Sequence, residues 1–519
     1  MITVRADEGM RVTPHFEAEA LLAALPVGLE GITADSRHAA PAIAFAAYPG
    51  TRRDGRDFID DAIARGAAAV LWESDGYTWD AHRRVPQVGV AGLRERVGPI
   101  ASAVYGHPSR ALWMAGVTGT NGKTSCAHWI AQTLTRCGRR AAVIGTLGNG
   151  LVGHPPAEDD PVGAGAGASV ASTAVAEARS TTPDACELHA LLARWRAQGA
   201  TAVAMEVSSH GLDQGRVNGV AFKVALFTNL TRDHLDYHGT MEAYAVAKQR
   251  LFDWPGLECA IINAGDAFGR ELIARLRARH TRVLTYGTRD ADIVALRVDA
   301  TPAGMAMEIA TPSGGGTLTT RIAGAFNVDN LLGVTGVLLA SGVPLSNALA
   351  ALAEVGAPPG RMERLGGGVL PTVVIDYAHT PDALLQVLTA LRPAVGIGGA
   401  LVCVFGCGGD RDRGKRGEMG AIAAAHADRV IVTSDNPRSE DPRAIADDIA
   451  AGVPADFARI TIDLDRMHAV TTAIAVAQPG DVVAVAGKGH EPYQEIAGVR
   501  RPYSDRAVVA AALAQWSHP

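Results

Sequence analysis

Short apolar runs that each break into a polar cluster, separated by helical stretches, constrain this chain more than any other feature. The runs LWMAGVTG, TAVAMEVSS, VALFTNL, CAIINAGD, TVVIDY, ALVCVFG, RVIVTSD and DVVAVAG end at GTNGKT, EVSSHG, TNLTRDH, INAGD, DYAHTPD, GCGGDRD, SDNPR and GKGHE. Most are rich in β-branched residues, and AAVIGT adds another such run. After the first, Ala127, Ile130, Ala131 and Leu134 recur at helical spacing. Strands alternating with helices predict an α/β fold with mostly parallel, doubly wound sheets. In such sheets ligands collect at the carboxyl ends of the strands, where these clusters fall. The ordinary polarity of loops would explain one or two of them, not eight.

At 519 residues the chain exceeds one hydrophobic core. Length gives two to four domains, and texture divides the chain into a smaller α/β block over 1–111, a strand-then-helix block over 112–357 and a second such block over 358–519. The last boundary follows an Ala-rich helix, NLLGVTGVLLASGVPLSNALAALAEVG, that stops at the breaker GAPPG. Between Leu151 and Arg179 a Gly-, Ala-, Pro- and acid-rich stretch lacks apolar periodicity and is expected to be a mobile insertion. Hydrophobic residues make up 48% and charged residues 20%, values of a globular protein. A net charge of −6 argues against a nucleic-acid partner. The six cysteines have neither zinc spacing nor the density of a disulfide framework, and Cys403 and Cys407 read as buried thiols. The N-terminus has no signal core and no stretch of some 18 apolar residues occurs, so a cytoplasmic protein without membrane insertion is expected; a monomer is the further expectation.

Gly119, Thr120, Asn121, Gly122, Lys123 and Thr124, followed by Ser125, join a predicted strand to a predicted helix. Glycines let backbone N–H groups close around phosphate, Lys123 supplies charge, Thr124 a hydroxyl for Mg²⁺ and the helix its N-terminal dipole. Val117 stands where the usual phosphate loop has its first glycine, so the loop is a variant, and a nucleotide is the expected ligand. Glu206 ends a strand where a carboxylate can reach a phosphate-bound Mg²⁺. His234 reads either as a metal ligand or as an ordinary loop histidine. Lys248, on an amphipathic helix, reads by itself as a solvated lysine.

GTNGKT, EVSSHGL, TNLTRDHLDYHG, GAFNVDN, PGRME and DYAHTPD occur here in the order found in the Mur ligases. The chain resembles that family from about Thr33 to Ser504, and TADSR, YPGTRRDGRDF, SSHGLDQGRV and GKGHE resemble its MurE type. The resemblance implies a domain for the uridine nucleotide, a central ATPase domain and a C-terminal Rossmann-like domain. It implies that ATP phosphorylates the D-Glu carboxylate of UDP-N-acetylmuramoyl-L-alanyl-D-glutamate, and that an incoming amine attacks the acyl phosphate. Lys123, Glu206, His234 and Lys248 are then catalytic. Thr124 and Glu206 touch one Mg²⁺, His234 a second, and Lys248 carries a carbon dioxide-derived carbamate as an anionic ligand. Asn327, Asn330, Arg361 and Asp376 join the ATP site. Ala34, Ser36, Thr51, Arg52, Arg53, Ser180, Thr181, Thr182, Ser208, Gln214 and Arg216 match the UDP-precursor site.

Asp435, Asn436, Pro437 and Arg438 resemble the signature of enzymes that add meso-diaminopimelate. Diaminopimelate differs from lysine by a carboxylate on its far carbon, which a planar Arg fork grips bidentately. Arg438 and Arg411 are the expected clamps, with Asn436 beside them and Glu491 and the Gly487 carbonyl accepting from the far ammonium. Two rivals remain at this point: a folylpolyglutamate-synthase-like ligase, and a nucleotide-binding regulator without catalysis.

Overall fold

The computed structural model describes residues 17–51, 53–153, 180–301 and 304–517. Arg52 and residues 154–179, most of the expected insertion, lie outside the described residues. The start of that stretch departs from expectation: Leu151 ends a strand and pairs with Ala142, and Leu151 and Val152 are buried. The described residues form two compact units.

The first unit draws on Met1–Trp113, Thr182–Gly199 and His210–Ala221. Its sheet runs in chain order through β1 (Gly31–Thr33), β2 (Ile43–Ala47), β3 (Ala69–Glu73) and β4 (Gln87–Val90), all parallel. Period-two alternation sends Ala44 and Ala46 of β2 to one face, where helices Leu93–Val104 and Ala185–Ala197 pack. Phe45 and Ala47 face the other side, with Ile59 and Ala62 of the helix Ile59–Ala64.

The second unit draws on Met114–Thr181, Ala200–Ser209 and Phe222–Pro519 and holds two large sheets. The ten strands of the first are β5 (Trp113–Thr118), β6 (Ala141–Gly145), β7 (Gly148–Leu151), β8 (Ala202–Glu206), β9 (Phe222–Phe227), β10 (Cys259–Asn263), β11 (Val283–Gly287), β12 (Ile293–Thr301), β13 (Gly304–Thr311) and β14 (Gly314–Thr320). Their order is β14-β13-β12-β11-β10-β9-β5-β8-β6-β7. β9 through β12 pair in parallel, whereas β12–β14 form an antiparallel meander and β6–β7 a hairpin, neither legible from the apolar runs. β5 lies between β9 and β8, so the loops after all three meet at one edge. The expected Ala-rich helix is two helices, Phe326–Ala340 and Leu345–Ala353. Gly342, at φ +86°, and Pro344 break it, because a left-handed residue ends the hydrogen-bond ladder and proline cannot rejoin it.

The other sheet has the order β15 (Glu363–Gly366), β16 (Thr372–Asp376), β20 (Val482–Ala486), β17 (Leu401–Phe405), β18 (Arg429–Val432), β19 (Ile460–Ile462). From β16 onward neighbours are parallel, and helices cover both faces, as doubly wound topology requires. Cys403 and Phe405 point to one core and Val402 and Val404 to the other. Cys403 and Cys407 are buried free thiols, as expected. Because β20 returns between β16 and β17, DYAHTPD, GCGGDRD, SDNPR and GKGHE gather at the carboxyl edge. A hairpin of β21 (Tyr493–Ile496) and β22 (Val499–Pro502) follows, then the helix Asp505–Gln515.

Candidate active site

The helix Lys123–Arg136 starts directly on the glycine loop, whose Gly122 adopts φ +85°. A Cβ at Gly122 would lie 2.4 Å from Asn330 Oδ1, so only glycine fits. Gly122→Ala should therefore destabilise the protein by about 2 kcal/mol or more, from the left-handed backbone and the contact together. Denaturant melts would read this, and an unchanged midpoint would contradict it.

Thr124 Oγ1 donates to Glu206 Oε2 at 2.9 Å, joining the helix start to the end of β8. Glu206 is fully buried and also accepts from Thr146 N at 2.7 Å and Thr146 Oγ1 at 3.2 Å. A buried hydroxyl–carboxylate pair at a phosphate-loop helix fits a hard divalent cation whose remaining ligands are phosphate and water oxygens. No group of three His, Cys, Asp or Glu side chains able to hold a metal alone occurs among the described residues.

Lys123 Nζ donates to Gly119 O at 2.9 Å and to Thr120 O at 2.8 Å, and desolvation lowers its pKa. Lys248 is not solvated, contrary to the sequence reading: it is 1% exposed and its Nζ donates to the same Gly119 O at 2.7 Å. Burial, then the Lys123 charge, holds its pKa well below the usual lysine range. The amphipathic pattern misled because the polar position on this face turns toward the phosphate loop. Tyr244 lies against both Lys248, 4.2 Å from Nζ to the ring centroid, and His234, 5.9 Å between centroids. His234 Nε2 lies 3.4 Å from Asp233 Oδ2, which His379 also approaches, while Lys415 approaches Asp233 Oδ1. Burial alone would raise the Asp233 pKa; the hydrogen bond from His379 and the charges of His234, His379 and Lys415 outweigh it and hold it well below the carboxylate range.

A cavity of about 260 Å³ opens beside the glycine loop, and Asn121, Gly122, Ser125, Asn327, Asn330, Arg361 and Asp376 all line it. Asn330 Nδ2 donates to Asn327 Oδ1 at 3.0 Å, as i,i+3 positions on a helix allow. Arg361 lies 4.5 Å from the Tyr377 ring centroid and donates to Thr124 Oγ1 at 3.1 Å. Burial raises the pKa of Asp376, which accepts from Met362 N at 2.8 Å. Trp129, Asn229, Asn263, Asp329, Tyr377 and Asp382 also line the cavity and were not singled out; all but Trp129 stand inside the motifs TNLTRDH, INAGD, GAFNVDN and DYAHTPD, where nothing local separates them from their neighbours. Asp382 accepts from Asn121 Nδ2 at 3.0 Å.

In the first unit, Ala34, Ser36 and Arg53 line a cavity of about 500 Å³ with Tyr48, Phe58 and Asp61. Thr51 is exposed and not part of its lining. Arg216 donates to Thr182 O at 2.9 Å and to Gln214 Oε1 at 2.6 and 2.9 Å, linking three residues of the expected set. In the second unit, Thr181 Oγ1 meets Thr146 Oγ1 at 3.0 Å, and Ser208 closely follows Glu206.

At the carboxyl edge of the second sheet, Asn436 is buried and donates to Glu491 Oε2 at 2.8 Å. Lys488, fully buried and not singled out from the sequence although it stands inside GKGHE, donates to Glu491 Oε2 at 2.7 Å and Asn436 Oδ1 at 3.0 Å. Arg438, at φ +53°, donates through Nη1 to Gly409 O at 2.6 Å. A Cβ on Gly408 would lie 2.8 Å from Arg438 Nη1 and 3.7 Å from Arg411 Cγ, so the two arginines converge there. Asp435, Gly487 and Pro437 supply main chain and carboxylate around this cluster, with Asp435 Oδ1 accepting from Asn436 N at 2.7 Å.

A glycine loop on a helix start, a buried hydroxyl–carboxylate pair and a neighbouring asparagine-lined cavity, on parallel sheets, define a nucleotide-binding α/β protein of the phosphate-loop class. The family model described as the Mur ligase middle domain matches residues 117–338, the Mur ligase glutamate ligase domain 360–489, and the Mur ligase family catalytic domain 29–105. A UDP-N-acetylmuramoyl-L-alanyl-D-glutamate–2,6-diaminopimelate ligase of Chromobacterium violaceum is 51% identical over 501 residues, 96% of this chain and 97% of that relative. The correspondingly named protein of Pseudomonas aeruginosa is 48% identical over 490 residues, 94% of this chain and 96% of that relative. A solved structure of a ligase with this name is 36% identical, covers 94% of this chain and 95% of its own, and superposes with a TM-score of 0.64. The chain belongs to the Mur ligase family.

Proposed function

We propose that this protein is the ATP-dependent ligase that joins meso-diaminopimelate to the D-Glu carboxylate of UDP-N-acetylmuramoyl-L-alanyl-D-glutamate in peptidoglycan precursor synthesis. The observation that carries the reading is near-full-length identity of about half to relatives of that name. The phosphate loop, Arg361 and Asp376 line one cavity, and Glu206 and Arg361 both bond to Thr124 at its helix start, which agrees with it. We assign the UDP-precursor to residues 1–111, ATP to 112–357 together with Arg361 and Asp376, and the amino acid to 358–519.

A carboxylate is a poor electrophile, and transfer of the γ-phosphoryl group to its oxygen creates the leaving group. The attacking amine then forms the C–N bond, the tetrahedral adduct expels phosphate, and the amine proton passes to solvent. Lys123 stands where it neutralises the transferring phosphoryl charge. Thr124 and Glu206 would hold Mg²⁺, with His234 beside a second ion. When bound, Mg²⁺ screens the repulsion between phosphate and carboxylate. The Asn327–Asn330 pair, Arg361 and Asp376 bind and orient the nucleotide, and enclosure between central and C-terminal segments keeps water from the acyl phosphate.

For Lys248 the reading is a carbamate. Two ammonium groups on one carbonyl oxygen repel, and burial favours the neutral amine that carbon dioxide needs. The N–C bond forms as the amine loses a proton, leaving an anionic oxygen ligand. ¹³C-bicarbonate should give a carbamate NMR signal in the wild type that Lys248→Ala abolishes; an identical signal in both would exclude it.

No helix among the described residues is long and apolar enough to cross a membrane. We further propose a monomer in the cytoplasm, where ATP and nucleotide-linked precursors are available. The decisive experiment gives purified protein ATP, Mg²⁺, the UDP-dipeptide and labelled amino acid. Incorporation of meso-diaminopimelate should exceed that of L-lysine by about 1000-fold or more, since buried charged groups would otherwise be left unpaired. Equal incorporation would defeat the specificity reading.

A further inference from the structure

Arg466, at the start of the helix Arg466–Ala475, and Asp505, at the start of the helix Asp505–Gln515, form an ion pair with no solvent exposure at either side chain. It is bidentate: Nε donates to Asp505 Oδ1 and Nη2 to Asp505 Oδ2, each at 2.8 Å. Neither residue belongs to any motif that the nucleotide or amino-acid reading uses. Stability alone is a weak reason for such a pair, because two desolvated charges contribute little beyond apolar side chains of the same volume.

The remaining contacts of Arg466 supply a better reason. Nη2 also donates to Ala486 O at 3.0 Å, and Nη1 to Ser434 O at 3.5 Å. Ala486 ends β20 immediately before Gly487, and Ser434 immediately precedes Asp435. One guanidinium thus ties together the two main-chain positions from which the GKGHE and DNPR loops depart. Its partner anchors a third. Asp505 Oδ1 accepts from Tyr503 OH at 2.9 Å, at the foot of the β21–β22 hairpin. That hairpin holds the DNPR loop by backbone: Arg438 N donates to Glu495 O at 3.0 Å, Ala497 N to Arg438 O at 2.7 Å, and Glu495 N to Asn436 Oδ1 at 2.9 Å. Gln494 Nε2 adds a bond to Asp435 O at 2.9 Å.

We infer that Arg466, braced by Asp505 and Tyr503, is a positioning residue for amino-acid selection: it sets the relative placement of Arg438 and Asn436 on one loop and Gly487, Lys488 and Glu491 on the other. The inference rests on those loops being the amino-acid site. A planar fork suits the task because its N–H groups reach a carboxylate and two carbonyls at fixed angles, which a lysine ammonium cannot reproduce. The strands alone leave the loops free to shift by fractions of an ångström, and a carboxylate clamp loses discrimination over that range.

The test compares steady-state constants for meso-diaminopimelate, ATP and the UDP-dipeptide in the full-length enzyme, with thermal melts confirming folding. Arg466→Lys keeps the charge but not the fork; it should raise KM for meso-diaminopimelate about 10- to 100-fold, the scale of a misplaced site, with the other two KM values within about twofold. The double variant Arg466→Met/Asp505→Leu removes the buried charges without leaving either unpaired, and so keeps a folded protein measurable if the single variant fails. It too should show the selective rise. A wild-type KM for meso-diaminopimelate in the folded double variant, or a parallel rise for all three substrates, would overturn the inference. Arg438→Ala runs alongside: if it leaves the diaminopimelate KM unchanged, the site reading fails; if it raises that KM and the Arg466 variants do not, only the positioning role fails.

Discussion

Lys123→Ala should lower kcat by about 1000-fold, the scale of losing one preorganised charge from a water-poor site. Lys123 begins its helix on the glycine loop and holds its ammonium 2.9 and 2.8 Å from the Gly119 and Thr120 carbonyls. Those bonds set the amine over the loop that would wrap phosphate, and desolvation there lowers its pKa, so its field is little screened. The helix start and the backbone N–H groups remain in the variant, so nucleotide affinity should fall less than turnover. Removing a poorly solvated charge should also leave the melting temperature near that of the wild type. Phosphate release with all three substrates present is the measurement. Activity within about tenfold of wild type would place the transition-state charge elsewhere.

Arg438→Ala should reduce kcat/KM for meso-diaminopimelate by about 100-fold or more, the usual loss when one member of a desolvated charge pair is removed, while KM for ATP stays nearly constant. Arg438 is held by unusual means: a left-handed backbone at φ +53°, hairpin bonds at its N and O, and a 2.6 Å bond from Nη1 to Gly409 O. These contacts aim the fork toward the space it shares with Arg411. Preference over L-lysine should shrink together with the affinity, because the variant no longer has a charge to leave unpaired. A loss of ATP affinity of the same size would instead mark DNPR as a structural turn.

Much of this was written in the order of residues. Apolar runs of strand length, each closed by a polar cluster, determine parallel α/β sheets whose loops share an edge, since period and chain direction leave few alternatives. The glycine loop determines phosphate binding because its chemistry is contiguous: glycine conformations, a lysine, a hydroxyl and a helix start within six positions. Ordered motifs likewise identified the family, and Asn327, Asn330, Arg361 and Asp376 line one cavity.

Other properties depend on packing across long sequence separations, where pattern carries no signal. Periodicity placed Lys248 in water; the fold buries it on Gly119 O, 129 residues away. A continuous Ala-rich stretch concealed the break at Gly342 and Pro344. Lys488 was visible as a letter in GKGHE, yet its bond to Asn436 spans 52 residues and exists only because β20 returns beside β17. The Arg466–Asp505 pair carries no local signature at all, since a helical arginine and an aspartate at a helix start are ordinary surface residues until folding removes the water around them. Sequence by itself thus determined the elements, the phosphate loop and the family. Tertiary structure decided which charges are desolvated and which distant loops are held together, because burial and proximity are properties of the folded chain.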